Sequence, residues 1–244
     1  MGLDWMVEAK VLPTKEREHQ VATRLFRAAE AERDRREEDY FEKRGVAHTE
    51  EDARRRFEDF QNTCEGAAFI RTVNECYATL QGLEVSAAST LGAPVVGRDE
   101  KADAWVKENW KSLRQFSSET EALTKLKGDS VFEPKLLTAE SRKGLGTIRG
   151  IAAGVTSFRG KELGFIDWLP EHLVDEAYTD HTSEQLADYG ARLMEIVKRS
   201  PEIIRAAGRD PHEEQQNREL ITLKAAANWC LFWGVRGHGM RAWY

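Results

Sequence analysis

Between Ser141 and Lys161 the chain reads SRKGLGTIRGIAAGVTSFRGK, a stretch with Arg142, Lys143, Arg149, Arg159 and Lys161 and no acidic residue. In a chain of 244 residues whose formal charge is −6, this is a local reversal of sign. Gly144, Gly146, Gly150, Gly154 and Gly160 are interspersed with the cations, and open backbone N–H groups beside positive charge are a common way to hold phosphates and other anions. The spacing fits neither nucleotide-binding fingerprint. Arg149 stands where the third glycine of GxGxxG belongs, and Gly154 and Gly160 enclose five residues where a P-loop has four.

A second cationic group, Arg236, His238 and Arg241, lies in the terminal segment GVRGHGMRAWY, with His238 the side chain there that titrates near neutrality. Together the two segments define a candidate anion-binding set: Arg149, Arg159, Lys161, Arg236, His238 and Arg241. A purely structural alternative stands beside it. Asp4, Asp167 and Glu176 are carboxylates that could pair with these arginines, and the four-residue spacing of Gly146, Gly150 and Gly154 would give a helix over 144–155 one smooth face for close packing.

Other chemistry is thin. Glu16 and His19 form one ExxH, whereas a di-metal bundle needs two, and Asp180–His181 beside Asp175 and Glu176 reads as a solvated helix end. The sequence therefore predicts no metal and no cofactor, and it carries no nucleophile elbow, zinc spacing or kinase signature. Whether the chain is an enzyme is left open.

The elements that would position these residues are mostly helical. Leu3, Trp5, Val7, Ala9 and Val11 alternate with Asp4, Met6, Glu8 and Lys10 in the period of two of a half-buried strand. From Thr14 to Arg44 the pattern turns helical, with a stripe of Val21, Leu25, Phe26, Ala28 and Ala29, followed by the charged run 30–39. Gly45 ends this helix and Thr49, three residues before Asp52, starts a second that bears Phe57, Phe60 and Cys64 and bends at Gly66, which predicts a charged helical hairpin to about Gln81. Its tip, residues 34–50, has no apolar stripe and is expected to open first.

Residues 82–98 read as a loop broken by Pro94 and as the internal boundary of an otherwise single domain, 1–244. Further helix starts are written at Asp99, at Ser118 with Glu121, at Pro170, at Thr182 with Gln185, at Ser200–Pro201 and at Asp210–Pro211. The segment ITLKAAANWCLFW is apolar nearly all round and predicts the central core helix. The fold class expected is mainly α, an irregular helical bundle with an N-terminal charged hairpin and a small β element built on the first strand.

An acidic chain has no general attraction for nucleic acid or anionic lipid. The longest apolar run, Ala225–Val235, is too short to span a bilayer, and the first residues lack a secretory pattern. Cys64, Cys76 and Cys230 read as reduced, buried thiols, so the expected location is cytoplasmic. The functional expectation is a non-catalytic interaction or scaffold protein whose hairpin meets another copy or a protein partner. The alternative is a small enzyme or binding protein for an anionic ligand, phosphorylated or not, held by 142–161 and the terminal segment.

Overall fold

The computed structural model describes residues 3–43, 49–113, 116–145 and 155–243. Arg149, the glycine face of 146–154 and the hairpin tip at 44–48 lie outside the described residues. The protein is mainly α with a small β element. The strands are β1 (Asp4–Val7), β2 (Lys10–Val11), β3 (Glu84–Val85), β4 (Ser157–Phe158) and β5 (Met240–Trp243). The helices are α1 (Glu16–Glu42), α2 (Glu50–Gln61), α3 (Cys64–Gly82), α4 (Ala87–Leu91), α5 (Glu100–Asn109), α6 (Glu119–Lys125), α7 (Ala139–Leu145), α8 (Glu171–Glu176), α9 (Ser183–Ala206) and α10 (Glu214–Gly234). They fall into two compact units, residues 1–10 with 86–244, and residues 11–85. The crossing at Val85–Ser86 lies inside the 82–98 stretch.

In the larger unit β1 is the middle strand of an antiparallel sheet of order β4-β1-β5. The alternation seen in the sequence sorts its side chains: Leu3 and Trp5 are buried, while Asp4 and Met6 face outward. Trp5 stacks on Phe158 at 5.0 Å, meets Trp229 and Tyr189 at 5.8 and 6.0 Å, and donates its indole N–H to the Ala177 carbonyl at 2.8 Å. Gly160 is required beside it, since a Cβ there would sit 2.3 Å from the indole nitrogen. Beneath the sheet, α9 and α10 pack as a pair; α10 buries Leu223, Ala226, Trp229, Cys230 and Trp233, the all-round apolar helix the sequence predicts.

Local chemistry explains most helix starts. Thr182 and Gln185 form a reciprocal capping box, and Ser118 and Thr49 accept from Glu121 N and Asp52 N. Three boundaries differ from expectation. The second hairpin helix does not bend at Gly66 but breaks, because the Thr63 hydroxyl donates to Phe60 O and accepts from Gly66 N, ending α2 and capping α3 at once. Residues 82–98 are not all loop, since Ser86 caps the short α4 and Gly92 closes it at φ 62°. Ser200–Pro201 starts no helix: α9 runs straight through it. Proline removes the N–H that the Val197 carbonyl would receive, and the Ser200 hydroxyl donates to that carbonyl instead, at 2.8 Å.

β2 and β3 pair as a short ribbon, and within the hairpin unit α1 runs along α3. Glu32 accepts from Arg35 and Arg36, which hold its carboxyl down at about 2. Arg36 also reaches Glu65 at 3.4 Å. Tyr40 meets Phe60 at 5.4 Å and Phe26 meets Tyr77 at 5.5 Å. Of the three free cysteines Cys230 is buried and Cys76 half-buried, but Cys64 is exposed. It opens the first turn of α3, where the chain has only just turned back and no neighbour covers it.

Candidate functional site

The outer face of the three-stranded sheet is where the two basic segments meet. Ser157 pairs with Met6 and Phe158 with Trp5, so the next residue, Arg159, comes out beside Asp4 on the solvent side. On the other edge Arg241 pairs with Met6 and Trp243 with Asp4. Arg159, Asp4, Met6, Arg241 and Trp243 thus share one face, on which Met6 is 44% and Trp243 66% exposed. The arginines are not bare. Arg159 lies 3.8 Å from Asp4 and Arg241 lies 3.0 Å from Glu8, both pairs largely in solvent, where such contacts contribute little.

The other members of the anion-binding set are placed differently. Arg236 turns away, its guanidinium 3.9 Å from the centre of the Phe232 ring, donating to Phe232 O and 3.6 Å from Glu140. Lys161 contributes its backbone N–H to Leu3 O, and its half-exposed side chain makes no ion pair among the described residues. His238 is fully buried. Asp167 and Glu176, considered as partners for these cations, belong to Arg209 and Arg192. The ExxH histidine, His19, meets Glu84 at 2.6 Å.

His238 has a defined tautomer. Its Nδ1 lies 2.8 Å from the Glu8 carbonyl oxygen, which can only accept, so Nδ1 carries the proton and Nε2 accepts from the Thr90 hydroxyl at 2.7 Å. Burial lowers its pKa, with Lys10 and Arg236 adding to the effect and the Glu8 carbonyl opposing it. A hydroxyl, an imidazole and an orienting acceptor in a row resemble an activated nucleophile. Yet the ring is sealed, and what this arrangement does chemically is tie the segment before β5 to α4 and to the end of β1.

A pH dependence follows. Because the folded pKa lies below the usual value near 6.5, the unfolded chain takes up the proton first, and stability falls as pH drops through about 6.5 toward the folded pKa. The slope assigned to this one site cannot exceed about 1.4 kcal/mol per pH unit. Urea midpoints between pH 8 and 5 should show the gap between the wild type and His238→Gln widest and level above neutrality and narrowing as pH falls below about 6.5. A difference that does not change with pH would contradict it.

Sequence reasoning missed Thr90 and Glu8 as partners of His238. They lie 148 and 230 residues away, and no local pattern links such positions. Comparison with known proteins adds no assignment. No family model, curated protein or solved structure matches the chain. No helix among the described residues is long and apolar enough to cross a membrane.

Proposed function

We propose that this is a non-catalytic, cytoplasmic helical interaction protein whose hairpin, residues 11–85, docks on a second copy of itself. What carries the reading is how little that unit covers. Among the described residues its buried apolar side chains are Ala22, Phe60, Val73 and Leu80, whereas helices gain most of their stability from a packed face. On α1, Val21 is 52% and Leu25 58% exposed, one turn apart with Ala28 following. On α3, Ala67, Ile70, Asn74 and Ala78 line a shallow groove of about 540 Å³ with Gln61 of α2. A ridge of two branched side chains and a groove floored by alanines are complementary in shape. The groove is edged by both Arg71 and Glu75, so the match to the ridge rests on shape.

Sedimentation of the purified chain at micromolar concentration is expected to give a dimer. Val21→Glu with Leu25→Glu should weaken the association roughly hundredfold, since two carboxylates would enter an apolar contact. The far-ultraviolet spectrum should be preserved. A monomer of 27.8 kDa across that range, or an unchanged dimer in the double variant, would remove the reading.

The second reading, an anionic ligand, is favoured by Arg159 and Arg241 sharing the outer sheet face with loosely held partners. Phosphate at constant ionic strength should then raise the thermal midpoint relative to chloride, by mass action on the folded state. Arg159→Ala with Arg241→Ala should abolish the rise. No rise leaves these arginines as surface pairs.

A further inference from the structure

In the larger unit, away from the sheet, a second and smaller core forms around α5 and α6. Val96, Ala102, Val106, Ala122 and Val131 are buried there. Three backbone hydrogen bonds, Val96 N to Asp129 O, Gly128 N to Val96 O and Val131 N to Pro94 O, fix the segment 128–131 against 94–96. Beside this core lies a cleft of about 370 Å³, within the size range of small-molecule sites. Trp105, Leu113, Leu126 and Phe132 supply apolar walls, and Asp129 and Glu133 stand among them.

Three features narrow what would fit. Among the described residues, neither carboxylate has an ion-pair or side-chain hydrogen-bond partner and no Lys, Arg or His lines the cleft. Among the described residues of the lining, negative charge stands beside aromatic rings with no cation between them. An anion would be repelled. A bare metal ion wants a shell of oxygens that these walls do not supply, and a neutral apolar molecule would give no partner to the half-buried Glu133 or to the exposed Asp129. An alkylated ammonium ion answers every group at once: its alkyl surface suits the apolar walls, its charge the electron-rich ring faces and the carboxylates.

We propose that this cleft binds a small organic ammonium ion, its alkyl groups against Trp105 and Phe132 and its charge balanced by Asp129 and Glu133. The site is independent of the hairpin and of the sheet face. The probes are choline and its neutral carbon isostere, 3,3-dimethylbutan-1-ol, titrated at constant ionic strength while the Trp105 indole N–H resonance, assigned with Trp105→Phe, is followed by NMR. Choline is expected to shift that resonance to saturation. The isostere should bind roughly tenfold more weakly, the weight of a partly desolvated cation–ring contact. Asp129→Asn with Glu133→Gln should weaken choline by a similar factor without moving the thermal midpoint. No saturable shift up to about 100 mM choline, a concentration beyond weak millimolar binding, would overturn the proposal. So would an isostere that binds equally well, or a double variant that binds choline as the wild type does.

Discussion

Trp5→Ala is expected to destabilise the larger unit by about 3–5 kcal/mol, a substantial share of the 5–15 kcal/mol by which domains are ordinarily stable. The side chain has no exposed surface, touches three aromatic rings and satisfies the Ala177 carbonyl. Truncation therefore leaves a cavity and an orphaned acceptor together, and the neighbours that would have to collapse into it are themselves large, rigid rings. Trp5→Phe should recover much of the loss, because it fills most of the volume and lacks only the donor. Urea unfolding followed by circular dichroism measures both. A cost under about 1 kcal/mol for the alanine, within the range of a surface change, would mean that β1 is not the keystone described.

The second large effect concerns glycine in helices, where alanine ordinarily stabilises by up to about 1 kcal/mol. Gly234→Ala should do the reverse and cost about 2–4 kcal/mol, since the new Cβ would stand 2.5 Å from Ala187 N and 2.8 Å from its Cα. Backbone cannot step aside as a side-chain tip can. Gly190, on the other helix of the pair, faces Leu231 N and Cys230 Cβ at 2.8 Å each and should respond alike. Gly82 is the control. Nothing lies within 4 Å of its built Cβ, and Gly82→Ala near the end of α3 should be neutral or mildly stabilising. Equal behaviour of Gly82 and Gly234 in thermal unfolding would show that α9 and α10 are not in such close approach.

These glycines also mark what was legible in the sequence. Close helix packing through small residues was read at Gly146, Gly150 and Gly154, from a regular spacing. Gly190 and Gly234 have no spacing to read, each being needed by a residue more than forty positions away. Caps are the opposite case. Thr49, Ser118 and Thr182 act on N–H groups three residues on, so their chemistry is contained in a short window and shows in it. Pro201 misled for a related reason: the break rule is local, and so is the hydroxyl of Ser200 that cancels it, but only the proline is conspicuous.

The candidate surfaces follow the same division. Alternation along residues 3–11 put Asp4, Met6 and Glu8 on one side of a strand, and that is the side on which Arg159 and Arg241 emerge. The burial of His238 could not be read, because it depends on Thr90 and the Glu8 carbonyl arriving from distant parts of the chain. Of the α1 stripe Phe26 and Ala29 are half-buried while Val21 and Leu25 remain outside, and the residue that α1 buries is Ala22, which the stripe does not include. A helical stripe says which residues want cover, not whether the same chain provides it.

The place of β1 between β4 and β5 sets an order of events on the ribosome. Residues 4–7 are made first of these strands and are paired only by residues 157–158 and 240–243. The hairpin, residues 11–85, is contiguous and has all its own contacts once about a third of the chain has emerged. Until those later residues are made Trp5 waits without Phe158, Tyr189 or Trp229, an uncovered indole on a growing chain. Closing so long a loop is slow, and unpaired strands with exposed aromatics are where growing chains stick. The last of these three strands to be made therefore finishes the sheet and at the same moment covers the segment that has waited for it.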